Sequence, residues 1–107
     1  MNQKMYKIKL SELFKLDLEK IITYIAFELK SPKTAENLNN EIEKAIRKIA
    51  KNPEIYEKYY SQKRRRNVYY KIYVKKYVIF YTVIDDVMEV RRILNNRQDA
   101  TIKNILE

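Results

Sequence analysis

The side chains of this sequence that could act on a target are cationic and phenolic, and most lie in its second half. Residues 58–81 contain eight lysines and arginines and no carboxylate. Six of the seven arginines form two groups: Arg64, Arg65 and Arg66, and then Arg91, Arg92 and Arg97 in "VRRILNNRQD". Guanidinium and ammonium groups bind phosphate and carboxylate oxygens. This charge therefore predicts an anionic partner, with nucleic acid or a nucleic-acid machine as the first candidate.

The residue types that are missing exclude several kinds of site. The sequence has no histidine, no cysteine and no glycine. Without histidine there is no ordinary proton shuttle at neutral pH and no hydrolase triad, and without glycine there is no phosphate-binding loop. The adjacent carboxylates Asp85 and Asp86 fit a hairpin turn better than a cation site. We therefore expect no metal site and no small-molecule cofactor.

Lysine, arginine and tyrosine could still carry RNA chemistry or binding. Cleavage of RNA by its own 2′-hydroxyl needs a base, cations for the phosphate and an acid, and these three residue types can supply them. The sequence permits such an enzyme without demonstrating it. Tyr69, Lys71 and Tyr73 share one face of an alternating segment, and this face could stack on bases or contact a protein. The same pattern also fits a solvated sheet edge.

The first half of the chain predicts one strand and a helical hairpin. Residues 5–10 alternate polar and apolar side chains, which is typical of a half-buried strand. Ser11 is a candidate N-cap, and apolar residues then recur at three- and four-residue steps to about residue 30. Ser31 and Pro32 provide a cap and a first turn for a second helix, whose apolar stripe reaches residue 49. The short connection makes these helices antiparallel.

The second half predicts a loop followed by a sheet. Residues 54–67 have no clean period and are assigned to a loop, while residues 68–74, 77–84 and 87–94 are assigned to strands. Lys75-Lys76 and Asp85-Asp86 separate these strands as two-residue turns, which gives a meander. Residues 101–107 are assigned to a last helical turn. The predicted fold is one α+β domain over residues 1–107, with two helices on one face of an antiparallel or mixed sheet.

Size and hydropathy favour a soluble protein. A chain of 107 residues suits one core, and no apolar run approaches the roughly 18 residues that cross a bilayer. The N-terminal residues do not resemble a secretory leader. We therefore expect a cytoplasmic location and no contact with a membrane.

Four stretches, in this order, carry a family resemblance: "DLEKIITYIAFEL", "SPKTAENLNNEIEKAIRKIAKNPE", "YVIFYTVIDDVMEVRRIL" and "NNRQD". Together they resemble the RelE/ParE superfamily of toxins from bacterial type II toxin–antitoxin modules, the plasmid stabilisation proteins, over residues 6–106. The resemblance implies a small basic toxin that is neutralised by a cognate antitoxin whose C-terminal segment wraps over it. RelE-like members cut messenger RNA on the ribosome, whereas ParE-like members poison DNA gyrase.

The RelE-type catalytic pattern is only partly present. Where those enzymes carry an arginine on the central strand, this sequence has Val78, and residues 100–107 lack the tyrosine of their C-terminal segment. Arg97 matches a second arginine, and Lys71 is a candidate match for a strand lysine. If the protein is an enzyme, the resemblance implies a metal-independent, ribosome-dependent endoribonuclease with Arg97 and Lys71 as its catalytic residues.

The ParE-like pattern fits better and makes gyrase the favoured target. "VRRILNNRQD" resembles the strand end of ParE-like toxins, which usually have a histidine where this chain has Asn95 or Asn96. The expected target-binding residues are Arg64, Arg65, Arg66, Lys71, Tyr73, Arg91, Arg92 and Arg97. Two alternatives remain, the endoribonuclease and an inactive binding module or relic toxin.

The arginines of the last strand are not expected to share one role. Strand alternation assigns Val90, Arg92 and Leu94 to one face, and Arg91 with Ile93 to the other. One of the two adjacent arginines is thus expected to be a solvated or ion-paired sheet residue. Arg97, which lies beyond the strand, is the strongest single candidate.

Overall fold

The computed structural model describes residues 6–59 and 68–98, and within them the chain forms a five-stranded sheet with two α-helices. The elements are β1 (Lys7–Leu10), α1 (Glu12–Thr23), α2 (Pro32–Ile49), β2 (Glu57–Tyr59), β3 (Tyr69–Val74), β4 (Tyr77–Ile84) and β5 (Val87–Asn95). The strand order is β1-β5-β4-β3-β2. The predicted α+β architecture is confirmed, and the sheet is mixed because β1 runs parallel to β5.

Ser11 begins α1 and attaches it to the sheet. Its Oγ accepts a hydrogen bond from the Phe14 N–H (3.1 Å) and donates one to the Arg91 carbonyl (2.8 Å). The predicted N-cap is therefore confirmed. The helix does not continue as an α-helix to residue 30, because Tyr24–Glu28 form a π-helical turn.

The connection between the helices is as short as predicted. Lys30 takes a left-handed backbone (φ 52°), and Pro32 occupies the first turn of α2. Ser31 occupies the predicted N-cap position, but the predicted capping hydrogen bond is wrong. Its Oγ donates to Thr34 Oγ1 (2.6 Å) and accepts no backbone N–H. The helix begins here because proline fits a first turn without needing its missing N–H.

The meander is confirmed, and each of its turns has a left-handed first residue. Strands β3, β4 and β5 pair antiparallel in sequence order. Lys75 and Asp85, the first residues of the two turns, both have φ 54°. Positive φ at this position suits the turns that match the twist of paired strands.

The edge strand β2 corrects the sequence prediction for residues 54–67. Pro53–Ile55 form a 3₁₀ turn, and Glu57–Tyr59 pair antiparallel with Tyr69–Lys71 in β3. This strand has only three residues and two of them are exposed, so it has no apolar alternation from which to predict it. Residues 60–67 and the predicted C-terminal helical turn lie outside the described residues.

Apolar side chains are buried on both faces of the sheet. The larger core joins the helices to one face, and its fully buried members include Phe14, Ile42, Ile49, Ile79, Tyr81, Met88, Val90 and Ile93. A smaller cluster on the opposite face contains Tyr69, Val78, Phe80 and Leu94, with Tyr59 packed against it. Tyr59 and Phe80 meet edge to face with 5.2 Å between ring centroids.

A β-bulge in β5 corrects the predicted alternation of "VRRIL". Phe80 lies opposite Arg92, but the next residue, Tyr81, lies opposite Val90, so that Arg91 is an additional residue in the strand. Val90 and Ile93 consequently both pack in the core under the helices, while Leu94 packs on the other face. An additional residue reverses the alternation of all residues beyond it.

Candidate functional site

Arg92 is held in an ion pair with the first helix. Its Nε and Nη2 donate to the two carboxylate oxygens of Asp17 at 2.6 and 2.8 Å. One of these oxygens also accepts the backbone N–H of Ile93 (3.2 Å). Both side chains are largely buried, at 17% and 12% exposed. This bidentate pair bridges α1 and β5, so the Arg92 guanidinium is committed to an intramolecular contact.

Arg91 has an ion pair of its own within β5. Its Nη1 lies 2.8 Å from Glu89 Oε1, and the second Glu89 oxygen lies 3.5 Å from Lys9 Nζ. The side chain of Arg91 remains 38% exposed. The adjacent arginines therefore occupy different environments, as expected, but the bulge rather than simple alternation separates them.

Lys71 and Tyr73 come together on the sheet face opposite the helices. Lys71 Nζ lies 5.8 Å from the Tyr59 ring centroid and 5.6 Å from that of Tyr73, and 3.4 Å from a Glu57 oxygen. Burial by itself would lower the pKa of Lys71, but Tyr73 and the Glu57 carboxylate outweigh it, and the net pKa is raised. Lys71 is thus a stable cation. Tyr73 is 53% exposed beside it.

Arg97 lies in the 3₁₀ turn Asn96–Gln98 that follows β5, and it is exposed. The Asn95 side-chain oxygen accepts the Arg97 N–H (3.0 Å), and the Asn96 N–H donates to the Lys76 carbonyl (2.9 Å). These bonds fix the segment before Arg97 against the β3–β4 turn. The two asparagines therefore hold the 3₁₀ turn that carries Arg97 next to the β3–β4 turn.

A depression that we call the hairpin cleft lies beside this turn. Its first chamber, of about 620 Å³, lies between the end of the helical hairpin and the β3–β4 turn, with Ile25, Leu29, Leu38, Lys75, Tyr77 and Asn96 in its lining. The second chamber, of about 400 Å³, is lined by Asp17, Lys20, Tyr24, Arg92 and Asn95. Lys76 and Tyr77 line both chambers. The cleft combines an apolar floor with more cations than carboxylates.

The second candidate surface, the helix groove, lies between the two helices and the edge strand β1. It consists of two depressions of about 510 and 340 Å³ that share Leu10, Phe14, Leu18 and Asn39. All four residues of β1 are exposed, and within residues 6–59 and 68–98 β1 pairs with a neighbouring strand on one side only. An apolar groove next to a free strand edge is a surface on which an extended peptide can bind.

The structure brings together some of the predicted site residues and separates others. Lys71, Phe80 and Arg92 form one cross-strand row, but the Arg92 guanidinium contacts α1 whereas Lys71 contacts Tyr59 and Tyr73. Arg97 lies at the end of the sheet, near the β3–β4 turn. Arg64, Arg65 and Arg66 lie outside the described residues.

Sequence reasoning missed the contribution of Lys20, Lys76 and Tyr77 to the hairpin cleft. The sequence analysis assigns Lys76 only to a turn, and it does not single out Lys20. The charged dipeptide Lys75-Lys76 was the one local signal for this site. Its proximity to the helical hairpin depends on the packing of the sheet against the helices.

Two buried tyrosines have raised pKa values. Tyr81 is fully buried and its hydroxyl donates to the Pro53 carbonyl (2.7 Å). Burial, followed by the neighbouring Tyr56 and Tyr70, raises the pKa of Tyr81 well above its usual value of 10. Burial and then Tyr24 also raise the pKa of Tyr77. These shifts move both hydroxyls further from proton transfer at neutral pH.

The described residues contain neither a cluster of metal-binding side chains nor a membrane-spanning helix. Across residues 6–59 and 68–98, no three carboxylate, histidine or cysteine side chains lie close enough together to hold a metal ion. In the same part of the chain, no helix has both the length and the hydropathy to span a membrane.

Comparison with known proteins identifies a family and a fold. Residues 8–100 match the family described as ParE toxin of type II toxin-antitoxin system, parDE. The sequence has no match among curated proteins. Among solved structures, the chain is similar to one from the chromosomal ParDE TA system of P. aeruginosa, with a TM-score of 0.71 and 14% identity. That similarity covers 88% of this chain and 98% of the other. At this identity it establishes a shared fold.

Proposed function

Because this chain belongs to the ParE toxin family of type II toxin–antitoxin systems, we propose that it arrests bacterial growth by binding and poisoning DNA gyrase. The observation that carries this proposal is the family match over residues 8–100. As a member of this family, the protein is a toxin component with a cognate antitoxin as its partner. We propose gyrase as the target because "VRRILNNRQD" resembles the strand end of ParE-like toxins.

The environment of two residues supports binding over RNA cleavage. Val78 occupies the central-strand position where RelE-like enzymes carry an arginine, and it is 1% exposed within the smaller apolar cluster. Lys71 has a raised pKa and a Glu57 partner. A general base near neutral pH needs a lowered lysine pKa, so Lys71 is better suited to binding an anion than to moving a proton.

Arg97 is the residue we assign to the target contact. It is exposed, it lies past the end of β5, and no salt bridge among the described residues involves it in the way that Asp17 engages Arg92. Tyr73 and Lys76 lie near the same end of the sheet, and we include them in the proposed contact surface. In contrast, the burial of Arg92 assigns that residue to the fold.

The target is tested by comparing two assays. Induction in a bacterial host should arrest growth, and purified protein should inhibit supercoiling and accumulate cleaved DNA with gyrase. The same preparation should leave messenger RNA intact on translating ribosomes, as mapped by primer extension. Cleavage at the ribosomal A site with normal gyrase activity would replace this proposal with the endoribonuclease. Normal growth on induction would favour the inactive binding module.

The site is tested with a matched pair of arginine variants. Arg97→Ala should lower gyrase inhibition by roughly tenfold or more, because a charge-assisted contact to a partner contributes about 1.5–3 kcal/mol. Arg47→Ala removes another exposed arginine from α2, where Arg47 Nη2 lies 2.9 Å from Glu43 Oε1, and should leave inhibition unchanged. If Arg97→Ala inhibits gyrase as strongly as Arg47→Ala does, Arg97 does not contribute to the target contact.

We also propose that the antitoxin occupies the helix groove. The outer edge of β1, which pairs with no other described strand, can form backbone hydrogen bonds, and the groove beside it offers apolar contacts for side chains of an extended segment. Ile8 and Leu10 are 41% and 38% exposed there. Burying them under the antitoxin would remove apolar surface from water.

This binding mode predicts a variant that separates toxicity from neutralisation. Ile8→Glu should preserve growth arrest but weaken rescue by the co-expressed antitoxin at least tenfold, because a carboxylate would be buried in an apolar contact. Ile55→Glu changes a side chain that is 69% exposed outside the groove and should be rescued normally. Full rescue of Ile8→Glu would exclude the helix groove as the antitoxin site.

A further inference from the structure

The two chambers of the hairpin cleft differ in character. The larger chamber has an apolar floor that includes Ile25, Leu29 and Leu38, and Leu29 is 53% exposed there. The smaller chamber is bordered by the Lys20 side chain and the Tyr24 phenol, which are both exposed. A ligand that spans the cleft therefore meets an apolar surface at one end and cationic and phenolic groups at the other.

The charges of the cleft favour an anion of low charge. Both acids in its lining already have cationic partners, namely the bidentate arginine–aspartate pair in the smaller chamber and Glu41 with Lys75 (Oε1 to Nζ, 3.6 Å). Within residues 6–59 and 68–98, Lys20 and Lys76 are the lysines of the lining that no carboxylate pairs with. Two unpaired ammonium groups beside an apolar floor suit one or two carboxylates.

We propose that the hairpin cleft binds an acidic peptide segment of the toxin's target protein, with an apolar side chain in the larger chamber and a carboxylate near Lys20 and Lys76 in the smaller one. The identity of the partner rests on the proposed function, whereas the chemistry of the ligand follows from the lining.

The phenols of the cleft add hydrogen-bond donors for the carboxylate. Lys76 Nζ lies 5.8 Å from the Tyr77 ring centroid, so the ammonium stays next to this ring. Burial and then the neighbouring Tyr24 raise the pKa of Tyr77. Its hydroxyl therefore keeps its proton at neutral pH and can donate to an anion.

The lining fits a carboxylate better than a nucleic-acid phosphate. Among the described residues of the cleft the arginine is Arg92, and its guanidinium is committed to Asp17. A bidentate guanidinium contact to phosphate would have to break that pair. A nucleic-acid strand also brings a negative charge with every nucleotide, which the carboxylates of the lining would repel. A carboxylate next to an apolar side chain meets neither obstacle.

The position of the cleft connects it to the target contact and separates it from the antitoxin site. Asn95 lines one chamber and Asn96 the other, and the next residue is Arg97, which we assign to the target. Of the described residues, none lines both the hairpin cleft and the helix groove. A target segment in the cleft and an antitoxin segment in the groove therefore contact different residues of the helical hairpin.

The chemistry of the ligand is tested with defined probes on the toxin alone. A hexapeptide of alternating leucine and aspartate should shift the amide resonances of Lys76, Tyr77, Asn95 and Asn96 to saturation in an NMR titration. A hexapeptide of alternating leucine and lysine should not. Acidic-peptide shifts that are absent, or that spread over the whole basic surface, would overturn the proposal. Shifts at the cleft with hexathymidylate but not with the acidic peptide would also overturn it, in favour of nucleic acid.

The cationic end of the cleft is tested by charge reversal. Lys20→Glu and Lys76→Glu should each weaken binding of the acidic hexapeptide by about tenfold or more, because each places a negative charge beside the bound carboxylate. Lys48→Glu makes the same change at an exposed lysine of α2 outside the lining and should bind the peptide normally. Equal losses in all three variants would mean that the peptide responds only to net charge, and the cleft would lose its role.

The apolar end is tested with an uncharged substitution. Leu29→Gln should weaken binding of the acidic hexapeptide by roughly threefold or more, because it removes apolar contact area from the larger chamber. Its leucine is half exposed, so the fold should persist, and circular dichroism checks this. Ile55→Gln alters an exposed side chain on another element and should leave the affinity unchanged. Full affinity in Leu29→Gln would contradict an apolar contact in that chamber.

The partner is tested separately, by binding of the toxin to purified gyrase without DNA. Lys20→Glu and Lys76→Glu should weaken this binding by about tenfold or more and should leave antitoxin binding intact. Undiminished gyrase binding, or loss of antitoxin binding instead, would overturn the assignment of the cleft to the target. A native toxin that binds the acidic peptide in the cleft but does not bind gyrase would contradict the proposed function while supporting the chemistry of the cleft.

Discussion

At the scale of single residues, the Asp17 carboxylate joins the first helix to the sheet through three hydrogen bonds. It accepts hydrogen bonds from Arg92 Nε, Arg92 Nη2 and the Ile93 N–H. These donors lie in β5 after the bulge, beyond the part of the strand that pairs with β1. The carboxylate thus satisfies a backbone donor that β1 does not reach.

Asp17→Asn should destabilise the fold by about 3 kcal/mol, because it leaves the largely buried Arg92 without its counter-charge. The free energy of unfolding in urea measures this loss. Glu43→Gln removes the exposed ion pair with Arg47 and should change stability by less than about 0.5 kcal/mol. Equal effects of the two substitutions would mean that water screens the Asp17–Arg92 pair as well as it screens the surface pair.

The raised pKa of Tyr81 predicts a loss of stability at alkaline pH. Its pKa is raised in the fold, so the folded state keeps the proton while the unfolded chain loses it above about pH 10. The unfolded state then binds fewer protons, and stability falls as pH rises through 10, by up to about 1.4 kcal/mol per pH unit for this group. Unfolding measured from pH 8 to 11 should show this decline.

Tyr81→Phe separates the hydrogen bond from the titration. It should cost about 1–2 kcal/mol at pH 7, because the Pro53 carbonyl loses its buried donor, and it should flatten the decline above pH 10. Tyr24→Phe alters a tyrosine that is 55% exposed and serves as the control. An unchanged alkaline decline in Tyr81→Phe would assign the titration to another tyrosine.

At the scale of elements, the β-bulge and the turns position the candidate site. The bulge at Arg91 lets Val90 and Ile93 both face the helices, and it places Arg92 within reach of α1. The β3–β4 turn contributes Lys76 to both chambers of the hairpin cleft and accepts the Asn96 N–H. Small local departures from a regular sheet therefore determine where the cations lie.

The β3–β4 turn offers a test of backbone strain. Lys75 has φ 54°, a conformation that costs a non-glycine residue about 1–2 kcal/mol. Lys75→Gly should therefore raise the free energy of unfolding by about 0.5–1 kcal/mol after the entropy cost of glycine is included. Its exposed ion pair with Glu41 contributes little.

Lys76→Gly is the matched control for this turn, since Lys76 is not among the residues with positive φ. Glycine there relieves no strain and should lower stability by about 0.5–1 kcal/mol. Thermal unfolding of the two variants should thus move in opposite directions. Destabilisation by both would show that the ammonium of Lys75, and not its backbone, matters to the turn.

At the scale of the whole molecule, net charge is the dominant electrostatic feature. A charge of +9 on 107 residues opposes the compact state through self-repulsion, and salt screens that repulsion. The melting temperature should therefore rise by several degrees between roughly 10 and 150 mM sodium chloride, as the Debye length falls from about 30 to about 8 Å.

A variant of reduced charge provides the control. Lys44→Glu with Lys51→Glu changes two exposed lysines and lowers the net charge by four. Its melting temperature should rise less over the same range of salt. A melting temperature of the native sequence that falls with added salt would mean that ion pairs such as Asp17–Arg92 outweigh the repulsion.

The sequence by itself determined the order of the elements other than β2, the helical hairpin, the N-cap at Ser11 and the two turns of the meander. These depend on local periodicity and on residue types that favour caps or turns, which are visible within a few neighbouring positions. The family resemblance was also visible in short stretches, and the match over residues 8–100 agrees with it.

Tertiary structure alone decided the edge strand β2, the parallel pairing of β1, the bulge, the π-helical turn and the partners of Arg91 and Arg92. Arg92 illustrates the reason, since its partner Asp17 is 75 positions away in the sequence. Such contacts depend on which distant elements pack together and in what register. A cluster of arginines in a sequence therefore shows where charge is concentrated, while the fold determines which of those charges remains available to a partner.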